Sequence, residues 1–111
     1  MVYLWGEAIR WVDDEPQPGV VEVRFTDVDG RWWSIVDKTA MFGADQALGR
    51  GVWIEPDSPF PFPVTIDCTV LNTTGTAEDE IATISTALPW ALETPCGRHE
   101  FRVRRHQLCE D

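Results

Sequence analysis

Two cysteines and two histidines stand symmetrically near the C-terminus, as Cys96-x2-His99 and His106-x2-Cys109. Thiolate and imidazole are the ligands zinc prefers, and four of them suit a tetrahedral site. The residues between argue against it. Phe101 and Val103 alternate with Arg102 and Arg104 as in a strand, and seven residues of strand span roughly 23 Å, so His99 and His106 cannot share an ion. A second metal pattern, Asp27-x-Asp29-Gly30, opens like a calcium loop, yet Arg31, Trp32 and Trp33 follow where further oxygen ligands belong. A hairpin turn accounts for those residues. The expectation is that the chain holds no metal and no cofactor.

Acid–base chemistry has one set of candidates, the turn carboxylates Asp13, Asp14, Glu15, Glu55 and Asp57. Paired carboxylates work when their environments push their pKa values apart, but acids in turns of an acidic protein are usually solvated. The sequence has no Gly-x-Ser-x-Gly elbow, no phosphate loop and no His-Glu-x-x-His helix. Asn72-Thr73-Thr74 is a glycosylation acceptor in form. The reading is therefore not an enzyme.

Aromatic and charged residues carry more information. The 111 residues include six tryptophans, and 19 acids against 9 bases give a net charge of −10. Such a balance excludes a phosphate-binding surface, which needs clustered Lys and Arg, so no nucleic-acid partner is expected. The acids are concentrated: residues 51–97 contain no Lys or Arg and seven acids, whereas Arg98, Arg102, Arg104 and Arg105 follow. Trp32 and Trp33 are adjacent, so on a strand one of them must face outward. Phe60 and Phe62 alternate with prolines in an extended segment, where both cannot easily reach a core. Aromatic anchors rimmed by acids characterise protein-binding surfaces. The candidate partner-binding residues are Trp32, Trp53, Phe60, Phe62, Glu55, Asp57, Glu78, Asp79 and Glu80.

The elements that must position these residues are almost all strands. Residues 20–28 alternate Val21, Val23 and Phe25 against Glu22, Arg24 and Thr26, a half-buried strand pattern. Asp29-Gly30 predicts a two-residue type I′ turn, with residues 31–42 returning beside the first strand. A second hairpin is expected from residues 64–73 and 80–87 around Thr74-Gly75, and a last strand over 100–108. Only residues 44–48 read as helical. Eight prolines and eight glycines punctuate the chain. The fold class is all-β, a small six- or seven-stranded antiparallel barrel, because closure removes sticky edges; a β-sandwich is the alternative. The length suits a single domain over residues 1–111. Trp11 with Pro16-x-Pro18 and Trp53 with Pro59-x-Pro61 suggest half-repeats, 3–52 and 53–111. No membrane span is expected, since the uncharged stretch 68–77 is broken by Asn, Gly and Thr. No secretory signal is apparent, and three cysteines do not form a disulfide framework, which favours the cytoplasm.

Pro16-x-Pro18-Gly19-Val20 leading to Asp29-Gly30-Arg31-x-Trp33-x-Ile35-Val36-Asp37-Lys38 resembles a pattern in small acidic β proteins of high-GC bacteria, some of them immunity-protein-like. The likeness runs on through Pro59-x-Pro61 and the strand after it. It carries over no functional residue. What it implies, together with the charge, is an acidic protein-binding module, an immunity- or inhibitor-type protein for a basic toxin enzyme. The alternative reading is a small-molecule or peptide-binding barrel with Trp32, Trp53 and Trp90 at its mouth.

Overall fold

The structure is a computed structural model that describes residues 2–17, 19–42, 54–88 and 91–110. Seven strands follow one another: β1 Val2–Asp13, β2 Val20–Thr26, β3 Trp32–Lys38, β4 Phe62–Thr74, β5 Ile81–Ser85, β6 Glu100–Arg104 and β7 Leu108–Glu110. Among the described residues the only helical pieces are single 3-10 turns at Thr39–Met41, Ala77–Asp79 and Arg105–Gln107. The strands form one antiparallel sheet, ordered β3-β2-β1-β4-β5-β6, with β7 beside β1. It curls into a half-barrel, so the all-β fold expected from the alternating patterns is the one observed.

Two long strands make the curl. The first half of β1 pairs with β4 on one edge and with β7 on the other, and its second half pairs with β2. β4 does the reverse, pairing with β1 through residues 62–68 and with β5 through residues 69–74. A sheet that switches partners along a strand must bend. The alternation in β2 sends Val21, Val23 and Phe25 inward, where they meet Leu4, Ile35, Ile66, Ile84, Phe101 and Val103. Each buried aliphatic or aromatic side chain contributes about 1.5–3 kcal/mol, so the inward rows of β2 and β4 outweigh any local preference. A register shift between Ala8 and Arg10 changes the parity of β1. As a result Ala8 and Trp11 both turn toward the core, although three positions separate them. Only glycine fits beneath Trp11. Gly19 has φ +135°, and a Cβ there would lie 2.2 Å from the indole.

The turns differ from expectation. The β2–β3 loop is not a two-residue type I′ turn, because Asp29 is not in the positive-φ region and Gly30 alone is, at φ +79°. Gly30 N donates to Asp27 O, and Asp27 N donates to Arg31 O, giving a three-residue loop closed by a left-handed glycine. The last expected strand, 100–108, is interrupted at Arg105–Gln107, where the Gln107 side chain accepts from Arg104 N. That corner takes the chain from β5's edge to β1's. Phe60 and Phe62 pack on the core and on each other, with ring centroids 5.4 Å apart. They staple the loop before β4. Ile54–Pro61 forms turns, whereas Trp11 stands within β1. Trp53, Trp90 and the helical turn expected at 44–48 lie outside the described residues.

Candidate functional site

Asp27, at the end of β2, organises the hairpin tip. Its Oδ1 accepts hydrogen bonds from Asp29 N and Arg31 N, and its Oδ2 accepts one from Trp33 Nε1 at 2.9 Å. Desolvation alone would raise the Asp27 pKa. The hydrogen bonds from Trp33, Arg31 and Asp29, with the charge of Arg98, outweigh it and hold the carboxyl below its ordinary value. Both carboxylate oxygens of Asp27, the first acid of the calcium-like pattern, are thus occupied by the protein's own donors. Trp33 carries two guanidiniums, Arg31 and Arg98, each 4.3 Å from the ring centroid. Below it Phe101 meets Trp33 at 5.6 Å and Phe25 at 4.9 Å, edge to face. Val28 N donates to Arg102 O, and Gln107 Nε2 to Thr26 O, which locks the tip onto β6 and the corner after it.

The residue before it on β3 faces the other way. Trp32 is 55% exposed, a large value for an indole on a regular strand. The guanidinium of Arg24 lies over it at 4.4 Å. Pairing sets Thr26 opposite Trp32 and Arg24 opposite Ser34, so Arg24 is the diagonal neighbour of Trp32 on the outer face. Among the described residues Arg24 Nε is shielded from solvent without a hydrogen-bond partner, and the carboxylate oxygen Glu7 Oε1 is 3.5 Å away. That is an ion pair rather than a hydrogen bond. Trp5, Gly6, Glu7, Arg24, Trp32 and Pro63 line a cleft of about 230 Å³ here. Gly6 is required by the core behind the cleft, since a Cβ would meet Arg24 O at 3.0 Å and the buried Val23 Cγ1 at 3.1 Å. Exposed indole, carboxylate and stacked cation together can receive a flat or cationic group.

The other sequence candidates are dispersed. Glu55 and Asp57 are exposed in the loop before β4, where Glu55 N donates to Ser58 Oγ. Asp79 is exposed and Glu80 partly buried in the turn after β4; the side chain of Glu78 lies outside the described ones. The two acidic groups therefore stand at opposite ends of a 13-residue strand, roughly 40 Å along its length. Glu80 is also engaged by Arg105, at 2.9 Å. Phe60 and Phe62 serve packing. Trp32 is the one described aromatic candidate presented as an anchor, and its immediate neighbour is an arginine rather than an acid rim.

Asp13 and Asp14 cap their own turn, accepting from Glu15 N and Trp11 Nε1. Among the described residues no group of three or more His, Cys, Asp or Glu is placed to hold a metal ion. Cys96 Sγ lies 3.1 Å from Thr94 Oγ1, and that contact, with the amide of Arg98, lowers its pKa. Cys68 is the opposite case: burial, then the charges of Asp67 and Cys109, push its thiol up to about 12. A wider cleft, about 450 Å³, has a floor of Val2, Val70, Ala82 and Leu108 with Glu80 and Arg105 at its side.

No protein family, no curated protein and no solved structure matches the chain. The site is read from its own geometry. Sequence reasoning singled out Trp32 and missed Glu7 and Arg24, although the hairpin alternation already placed Arg24 and Trp32 on one face. The contribution of Arg98 had no such signal, because it depends on β6 reaching the hairpin. No described helix is long and apolar enough to cross a membrane.

Proposed function

We propose that this chain is a protein-binding module, an immunity- or inhibitor-type protein for a basic toxin enzyme, working in the cytoplasm and without catalysis of its own. The observation that carries the reading is the exposure of Trp32, 55%, on the regular outer face of a protein of net charge −10. A large rigid aromatic left uncovered on an ordered strand is what interface hot spots use. The overall negative field attracts a basic protein and repels nucleic acid, raising the encounter rate most at low salt. Recognition is then divided, with long-range charge setting association and Trp32 setting residence time.

Calorimetric titration against the product of a neighbouring basic toxin gene tests this. Binding at or below micromolar Kd in low salt, weakening as salt rises, is the expected result. Absence of binding to any basic partner at that concentration overturns it. A second reading, a small-molecule or peptide-binding barrel, is favoured by the apolar-floored cleft between β5 and β7. A ligand screen that shifts Leu108 and Val70 signals, and leaves Trp32 unmoved, would support that alternative.

A further inference from the structure

We infer that Trp32 takes the guanidinium of an arginine side chain of the basic partner, with Glu7 accepting its N–H groups. The inference rests on the protein-binding reading above and names what that partner must present. The hairpin itself contains the precedent. Trp33 holds two guanidiniums at 4.3 Å, beside a carboxylate, Asp27, bonded to its indole. Trp32, one residue away on the opposite face, holds a single guanidinium among the described residues, Arg24 at 4.4 Å, and remains 55% exposed. Glu7 stands at 3.5 Å from Arg24 Nε as Asp27 stands beside Trp33. Its side chain is 40% accessible, so it can also meet an incoming group. One indole can thus carry two guanidiniums when a carboxylate offsets their charge, and the second place on Trp32 is open to solvent.

Arginine fits this place better than lysine. Its planar guanidinium stacks on an aromatic face and is more weakly hydrated than an ammonium, so less is lost when it leaves water. The cleft of about 230 Å³ between Trp5 and Trp32 accommodates such a flat head. Net charge −10 supplies the complementary field for a partner rich in arginine.

The test compares two hexapeptides of equal charge, one of arginine and one of lysine, titrated at low salt into the full chain. The readout is the indole N–H resonance of Trp32 and the fitted Kd. The arginine peptide should bind about fivefold tighter, the scale of an exposed cation–π contact, and should shift the Trp32 signal. Trp32→Ala, an outward-facing change checked for folding by circular dichroism, should bring both peptides to the same affinity. Glu7→Gln should weaken the arginine peptide more than the lysine one. Equal affinity for both peptides in the unmodified chain, or an arginine preference that survives Trp32→Ala, overturns this site and leaves the charge-steered reading standing. Failure of both peptides to bind at millimolar concentration, together with failure of the basic toxin to bind, overturns both.

Discussion

Trp32 and Trp33 are the same residue type, side by side on β3, and they live in different molecules chemically. Trp33 is tied at its nitrogen to Asp27, packed edge to face on Phe101 and covered by Arg31 and Arg98. Among the described residues Trp32 has one arginine over its ring, and more than half its surface is in water. Asp27 and Arg31 belong to its own hairpin, but Phe101 and Arg98 come from β6 and the loop before it, so the fold's closure completes the surroundings of Trp33. The difference teaches that an aromatic on this sheet is structural where a distant strand reaches it, and available where only its hairpin neighbour does.

The sharpest way to break that comparison is truncation. Trp33→Ala should cost about 3 kcal/mol of stability in urea denaturation, in the range for removing a large packed aromatic. Trp32→Ala should cost less than about 1 kcal/mol, as a surface change does. Equal losses would mean that the two tryptophans play the same structural part.

A smaller effect separates the carboxylates. Asp27→Asn loses the hydrogen bond from the Trp33 indole to a charged acceptor, and should destabilise by about 1 kcal/mol at pH 7. The folded-state pKa of Asp27 is depressed. Its contribution is therefore complete above the unfolded carboxyl value of about 3.9 and is lost as pH falls through the lower folded value. Stability curves of the two proteins should converge below about pH 4. A gap that stays constant down to pH 2.5 would remove Asp27 from the hub.

Thiol chemistry supplies the finest probe. Cys96 is exposed with a lowered pKa, and Cys68 is buried with its pKa raised to about 12. With a thiol-reactive disulfide reagent at neutral pH, Cys96 should react first and Cys68 only on unfolding. Arg98 lies both on Trp33 and beside Cys96, so Arg98→Ala should slow the Cys96 reaction slightly while leaving Trp32 accessibility unchanged. A faster Cys96 in that variant would contradict the charge assignment.

Much of this arrangement is legible in the chain. The alternation Val21, Val23, Phe25 fixes the inward face of β2, and by pairing it fixes the outward face that carries Arg24 and Trp32. Turn chemistry was less legible: Asp29-Gly30 satisfies a type I′ rule, but the Asp27 side chain supplies bonds that stabilise a longer loop instead. Phe60 and Phe62 look like exposed anchors in a proline-rich stretch and become packing residues once β4 lies beside β1. The acidic stretch reads as one patch because it is contiguous in sequence. The length of β4 separates its two ends in space.

What the sequence determined by itself was the all-β class, the alternation along β2 and β3 and the sign of the net charge, because a period of two and a net charge are local or additive properties. Only the tertiary structure decided which tryptophan is covered. That choice depends on a non-local contact: β6 must dock against the tip of the β2–β3 hairpin, through Val28 N to Arg102 O, before Arg98 and Phe101 can reach Trp33. Residues some seventy positions apart meet there, and no spacing rule within either segment encodes the meeting. Trp32 faces away from that contact and stays exposed.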